Sequence, residues 1–262
     1  VHSASNRSYR YGYGLFETIK VADGKLLLRD YHFDRLFAGL KTLGIPVPSH
    51  FTADLLEQKI TELCLRNQCA GLARVRLSLS GGSGGYSEGD DKLRYLIECQ
   101  PLEAQQTLWN EKGLTLGIFP GARKAADNFS HLKTASFLPY IMAARHAREN
   151  GLDDCLVLNA AGNIADSSRA NIFLVTGNHI ITPPLQEACV EGVMRRWLLD
   201  CLRNSKKSPE LLEKPVTPGD LLQAREIFLT NAISGIRWVR QCGETRYACD
   251  ISRALFRQFI QP

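Results

Sequence analysis

Apolar positions near the start of the chain fall in two short runs, residues 15–21 and 25–28, separated by Ala22-Asp23-Gly24. An Asp-Gly step favours a tight turn, so the pattern predicts two paired strands. From Phe33 the spacing changes. Phe33, Leu36, Phe37, Leu40 and Leu43 recur at three and four, and the run stops at Gly44 ahead of Pro46. That spacing predicts a helix capped by Asp30, with Arg35 off its apolar stripe. A second helix is expected over residues 53–67, capped near Thr52. Residues 74–79 and 93–99 alternate polar and apolar, the mark of half-buried strands.

A polar stretch, residues 101–113, separates this block from a second one, and a domain boundary is expected there, giving 1–103 and 104–262. Beyond it the pattern predicts a strand at 114–119 and a helix ending near Asn150, with Leu138, Ile141 and Met142 at helical spacing. Strands follow at 155–159, 171–175 and 179–182. Gly192 opens a helix with Val193, Trp197, Leu198 and Cys201 on one face. Residues 204–209 read as a solvated loop, Leu229 lies in a late strand, and Asp250 is placed to cap a last helix. Strands and helices mix without a regular β-α-β period, so the class expected is α+β.

Composition narrows the function. At 262 residues, 44% hydrophobic and 23% charged, the chain has the make-up of a globular protein with one large core or two moderate ones. Its net charge of +5 is modest, and apart from Lys206-Lys207 and Arg195-Arg196 the basic residues are dispersed, so nucleic acid is not an expected partner. No apolar run approaches the roughly 20 residues of a membrane span. The opening residues Val1-His-Ser-Ala-Ser-Asn6 carry no apolar export signal, and a cytoplasmic location is the expectation. Eight cysteines show no C-x-x-C pair and no companion histidines at zinc spacing; they read as reduced thiols, with no metal site expected.

Two stretches could carry chemistry. Ser80-Gly-Gly-Ser-Gly-Gly85-Tyr86 could cradle a phosphate, but it lacks the Gly-Lys-Ser/Thr ending and following helix of a P-loop, and a flexible loop between strands is the favoured reading. Asn128-Phe-Ser-His-Leu-Lys133-Thr-Ala-Ser-Phe sets one lysine after a polar turn, just ahead of a helix. A lysine held there can form a Schiff base if its surroundings keep part of it unprotonated; by spacing alone a solvated lysine is the favoured reading.

The flanking motifs change that reading. Upstream stand Arg10-Tyr-Gly-Tyr-Gly-Leu-Phe-Glu17-Thr-Ile and Leu28-Arg-Asp-Tyr-His-Phe-Asp-Arg35-Leu. Downstream come Ile164-Ala-Asp166-Ser-Ser-Arg-Ala-Asn171-Ile-Phe173, Glu191-Gly-Val-Met-Arg195 and Glu226-Ile-Phe-Leu-Thr-Asn231-Ala-Ile233. In this order, from about Asn6 to about Cys242, they resemble the class IV aminotransferase family, the fold-type IV pyridoxal-phosphate enzymes. In detail the chain is most similar to the 4-amino-4-deoxychorismate lyase branch.

The resemblance implies a two-domain α+β fold like that of D-amino acid aminotransferase, a homodimer, and pyridoxal 5'-phosphate as cofactor. It gives Lys133 the Schiff base and the proton transfers, with Thr18 near the substrate. Arg35 would bind the cofactor phosphate, together with the main chain of Val193 and Met194 and that of Ala232 and Ile233. Asp166 would face the pyridine nitrogen, where most of the family has glutamate. Met194 stands where a threonine hydroxyl is common, Leu138 where branched-chain members carry tyrosine, and Gly81 where an arginine often precedes the glycine-rich loop. Arg74 and Arg76 share one strand face and could bind a substrate carboxylate, or form a solvated edge. Tyr11, Tyr13, Tyr86 and Phe16 are candidate pocket walls or plain packing residues. The reaction expected first is release of pyruvate and 4-aminobenzoate from 4-amino-4-deoxychorismate. The alternatives are amino transfer between a branched-chain or D-amino acid and a 2-oxo acid, or a non-catalytic pyridoxal-phosphate-binding protein.

Overall fold

The computed structural model of the chain describes residues 3–205 and 209–260, so the expected pair Lys206-Lys207 and the middle of the expected loop at 204–209 lie outside the described residues. Contacts divide the chain into two compact units. The first is Val1–Gln106 with Leu132–Phe137, and the second is Thr107–His131 with Leu138–Pro262.

In the first unit, helix α1 (Arg7–Tyr11) leads into strands β1 (Gly14–Ala22) and β2 (Lys25–Leu26), helices α2 (Arg29–Thr42) and α3 (Ala53–Arg66), and strands β3 (Leu72–Gly81) and β4 (Leu93–Pro101). The sheet order is β2-β1-β3-β4, antiparallel throughout. Asp23 and Gly24 both adopt positive φ, which closes the β1–β2 turn that the Asp-Gly step predicts. Because β2 is only two residues long, β1 keeps a free edge. Residues 133–135 take it: the Phe16 N–H donates to the Lys133 carbonyl at 3.0 Å and the Ala135 N–H to the Gly14 carbonyl at 2.9 Å. This pairing joins Leu132–Phe137 to the first unit across more than a hundred residues of sequence.

One face of that sheet is apolar. Leu15, Ile19, Val21, Val75, Leu77 and Leu79 pack against Phe33, Leu36 and Leu40 of α2 and Leu56, Ile60 and Cys64 of α3. Each such side chain stabilises the fold by about 1.5–3 kcal/mol through burial. The N-terminus of α2 departs from expectation. Leu28, in the left-handed region at φ 55°, holds the cap position without a side-chain bond, while Asp30 lies in the first turn and pairs with Arg29. Thr52 does cap α3, accepting from the Leu55 N–H.

The second unit holds β5 (Leu114–Lys124), α4 (Leu138–Glu149), β6 (Asp154–Asn159), β7 (Ile164–Ser167), β8 (Asn171–Thr176), β9 (His179–Thr182), α5 (Val193–Arg203), β10 (Glu210–Glu213), α6 (Pro218–Gln223), β11 (Glu226–Asn231), β12 (Gly235–Cys242), β13 (Thr245–Arg246) and α7 (Asp250–Leu255). The sheet runs β10-β9-β8-β11-β12-β5-β6-β7, with β13 on β12; three neighbouring pairs in that order are parallel and the rest antiparallel. Alternate residues of β8 and β11 feed two cores. Ile172, Leu174, Ile227 and Leu229 face one, and Phe173, Val175 and Phe228 face the other, beside Leu198 and Leu202 of α5. Burial on both faces gives these strands continuous apolar runs. Asp250 does not cap α7. Glu226, buried in β11, accepts from the Ile251 and Ser252 N–H groups, and Asp250 pairs outward with Arg225. No described helix is long and apolar enough to cross a membrane.

A charged cluster ties α2 to β1. Arg35, expected off the apolar stripe, is buried beside the strand; its Nε donates to Glu17 Oε1 at 2.8 Å and its Nη2 to Glu17 Oε2. His32 Nδ1 lies 2.7 Å from the same carboxylate. Burial alone would raise the Glu17 carboxyl, but the Arg35 charge and the bonds from His32 and Arg35 overcome it and hold the group at about 2 against an ordinary 4.5. Burial lowers His32, against the pull of Glu17. A depressed carboxyl stabilises the fold fully above pH about 4.5 and loses that contribution as pH falls toward 2, here about 3 kcal/mol. Urea denaturation across that range tests this. Glu17→Gln is expected to cost about 3–5 kcal/mol at pH 7 by removing the buried carboxylate that Arg35 and His32 bond, and to flatten its share of the acid slope; a variant profile parallel to the wild type contradicts the pairing.

Candidate active site

Each unit carries its own part of the predicted set. In the first, the edge pairing with β1 fixes the Lys133 main chain and leaves its half-buried side chain over an aromatic pair. Nζ stands 4.4 Å from the centre of the Phe16 ring and 5.3 Å from that of Phe137, and the two rings meet edge to face at 5.2 Å. Aromatic walls of this kind exclude water while their faces attract a cation. Arg76 lies over the same Phe16 ring at 3.9 Å, so one aromatic side chain positions both the amine and a guanidinium. Its Nε donates to Ser78 Oγ at 3.1 Å, and burial pushes the guanidinium down from its ordinary value, with Glu98 opposing. Thr18 sits directly across the ladder from Arg76.

Other substrate-side residues are spread out. Arg74, two residues along β3 from Arg76, is exposed. Tyr11 and Tyr86 are exposed too and meet each other, ring edge to ring face at 6.4 Å, so neither is a buried wall. Tyr13 is half-buried and donates its hydroxyl to the Leu43 carbonyl at 2.8 Å. Gly81 has a steric reason: a Cβ there would lie 2.1 Å from the Tyr13 ring, so the arginine common at this place cannot stand here unless Tyr13 moves. On the face of β3 that carries Arg76, Ser78 and Ser80 line a cavity of about 510 Å³ with Asn6, Ser8 and Arg94.

In the second unit, β7 carries Asp166 to a buried position opposite Val157 of β6. Its Oδ2 accepts from the Val190 N–H and from the Tyr140 hydroxyl, both at 2.9 Å, with Lys124 Nζ 3.6 Å away. Its Oδ1 is buried and accepts no hydrogen bond from the described residues. An unsatisfied buried carboxylate oxygen is costly, and a protonated pyridine nitrogen is a donor that would satisfy it. The residues therefore fit pyridoxal phosphate at its ring nitrogen. Burial raises the Asp166 carboxyl, and Lys124, Val190 and Tyr140 oppose the rise. Tyr140 itself is pushed well above its ordinary value, by burial first and then by the Asp166 charge.

The phosphate-side expectations divide. At the start of α5 no side chain caps the helix, and a Cβ on Gly192 would fall 1.9 Å from Asn171 Oδ1. A side chain there would have to displace Asn171, and the main-chain N–H groups of Val193 and Met194 open the helix where an anion is favoured. Both side chains are buried, and Met194 brings no hydroxyl. In the later turn, Asn231 Oδ1 accepts from the Ile233 and Ser234 N–H groups. The Ile233 donor assigned to phosphate is thus engaged locally, which leaves the Ala232 main chain as the candidate of that pair.

Sequence reasoning missed Glu17, His32, Lys124 and Tyr140. A glutamate within an apolar strand run was a usable signal for Glu17. Lys124 gave none, since Ala122-Arg-Lys-Ala-Ala reads as a solvated turn. In the structure its Nζ donates to the Tyr140 hydroxyl and to the carbonyls of Ala188 and Ser130.

Known proteins match this arrangement over nearly the whole chain. An aminodeoxychorismate lyase from Vibrio harveyi is 29% identical over 232 residues, 88% of this chain and 83% of that one. One from Bacillus subtilis is 28% identical over 260 residues, 97% and 86%. The crystal structure of 4-amino-4-deoxychorismate lyase from Pseudomonas aeruginosa superposes with a TM-score of 0.84 at 25% identity, covering 99% of this chain and 96% of that one. Branched-chain-amino-acid aminotransferases also occur among the relatives. The profile described as amino-transferase class IV matches residues 14–242, and with it the α+β architecture and the motif order have one explanation: the chain belongs to the class IV aminotransferase family.

Proposed function

We propose that this protein is a pyridoxal-phosphate-dependent lyase that converts 4-amino-4-deoxychorismate to 4-aminobenzoate and pyruvate. The observation that carries the reading is Lys133, its main chain pinned to β1 and its amine held over Phe16 beside Arg76. Support for this substrate over others comes from Gly14-Leu-Phe-Glu-Thr18, from the lyases among the relatives, and from Leu138 in place of a tyrosine.

Pyridoxal phosphate, when bound, supplies an electron sink for the pair left at the substrate carbon. The chain's residues do the rest. Lys133 Nζ carries the cofactor and, once released, takes and returns the proton at the reacting carbon. Phe16 and Phe137 keep water from that amine. Arg76 has the charge and the partial burial to bind a substrate carboxylate, with Thr18 beside it. Asp166 offers Oδ1 to the ring N–H, and its Oδ2 is fixed by Val190 and Tyr140, so the shorter aspartate is held by the strand rather than by a longer side chain. Arg35, the N-terminus of α5 and the Ala232 main chain are the proposed phosphate ligands. A homodimer in the cytoplasm is the form we expect in the cell.

The test is to incubate purified protein, loaded with pyridoxal phosphate, with 4-amino-4-deoxychorismate and to measure both products. Formation of 4-aminobenzoate and pyruvate in equal amounts is expected. Amino transfer to 2-oxoglutarate with neither product would assign the protein to the aminotransferases instead. Lys133→Ala is expected to keep the fold, lose the visible absorbance of the lysine-bound cofactor, and reduce kcat by a factor on the order of 10²–10⁴ or more. Asp166→Asn, which removes the charge facing the ring nitrogen, is expected to retain cofactor but lower kcat at least about tenfold. Unchanged kcat in that variant contradicts the role given to Oδ1.

A further inference from the structure

Three of the eight free cysteines converge at one edge of the first unit. Cys64 is at the end of α3, Cys69 just before β3 and Cys99 on the edge strand β4, and their three Sγ atoms lie within 4.8 Å of one another. Cys69 Sγ and Cys99 Sγ stand 3.6 Å apart. We infer that Cys64, Cys69 and Cys99 form a three-thiolate site for a soft d10 metal ion of the zinc or copper(I) class.

Geometry is the first support. At a metal–sulfur distance of about 2.3 Å, three sulfurs around one ion stand roughly 3.8–4.0 Å apart, so the cluster needs only small side-chain adjustments to close on an ion. Cys64 and Cys69 have four residues between them, within the spacing of thiolate pairs in structural sites. The helix supplies the second support. α3 is 14 residues long and its C-terminal end, where carbonyls and the dipole favour a cation, faces this corner; the Leu63 carbonyl lies 3.8 Å from Cys99 Sγ. Access is the third. Cys64 and Cys69 are buried, whereas Cys99 is half-exposed with the exposed Asn67 side chain 3.1 Å from its sulfur, so an ion enters from solvent past Asn67 and keeps an open fourth position there.

Burial raises Cys64 to about 12 and also raises Cys69, and each sulfur's charge would oppose its neighbours'. A cation reverses that opposition. Each S–H gives its proton to solvent as a metal–sulfur bond forms, with no change of oxidation state. The bound ion would join the end of α3 to the edge strand β4, away from the chemistry proposed for Lys133, so activity and metal content are independent readouts.

Cadmium is the probe. Holoprotein kept reduced with a non-thiol reductant is titrated with Cd²⁺, following thiolate-to-cadmium charge-transfer absorption, proton release and Tm. One ion per chain with proton release and a raised Tm is expected. Cys99→Ser, and separately Cys69→Ser, should weaken binding at least about tenfold, while Cys249→Ser, elsewhere in the chain, should bind as wild type does; circular dichroism checks that each variant is folded. No charge-transfer band in the reduced wild type overturns the inference, as does a band undiminished in both Cys99→Ser and Cys69→Ser. A Cys69–Cys99 disulfide in freshly isolated protein, found as two missing thiols on titration, overturns it as well.

Discussion

The pairing of residues 133–135 with the free edge of β1 is the contact on which the site depends. Two main-chain hydrogen bonds, Phe16 to Lys133 and Ala135 to Gly14, fix the lysine backbone to a strand whose other side is zipped to β3 along its whole length. A lysine side chain has many rotamers, and holding its backbone is the cheapest way to restrict where the amine can go. The short β2 is part of the same arrangement, because a longer partner would have covered the edge. Phe16 then serves twice, through its N–H as a donor to the segment and through its ring as the surface beneath the amine.

Behind that strand, the Glu17 carboxylate closes a polar cluster inside an otherwise apolar interface. Its neighbours in β1, Leu15 and Ile19, face the same helices and are buried among leucines and phenylalanines. Arg35 and His32 offset the cost of burying the charge, and in return the register of α2 on β1 is specified: a shift of one residue would separate three polar groups in a medium that cannot solvate them. In the second unit Asp166 is treated the other way. It is surrounded by donors on one oxygen, while the other has no hydrogen-bond partner among the described residues.

How far the sequence could be read follows from these details. The Asp-Gly turn, the Thr52 cap and the three-and-four spacing of α2 are local signals, and each produced the element it predicts. Strands β7, β10 and β12 were not legible: Ile164-Ala-Asp-Ser has too few apolar residues, and Gly235-Ile-Arg-Trp-Val-Arg spreads arginines across its run, so their strand character comes from neighbours in the sheet. Asp30 and Asp250 looked like caps because aspartate usually is one; tertiary contacts, a left-handed Leu28 and a buried Glu226, took those positions. Lys133, Asp166 and Gly192 stood out only through the order of the motifs. The Lys124–Tyr140–Asp166 grouping joins residues far apart in sequence, and Cys99 reaches Cys64 and Cys69 only through the sheet, so no local pattern announces either cluster as a whole.

The central claim is that Lys133, and no other lysine, carries the cofactor. Lys124 is the sharpest competitor, since it too is a buried amine and stands beside Asp166, yet its donors are bound to Ser130, Tyr140 and Ala188. Reducing the pyridoxal-phosphate-loaded protein with borohydride fixes the cofactor to whichever amine holds it, and peptide mass spectrometry then locates the modified residue. A single phosphopyridoxyl group on Lys133 is the predicted result; modification of Lys124 instead, or of several lysines in similar amounts, would contradict the account.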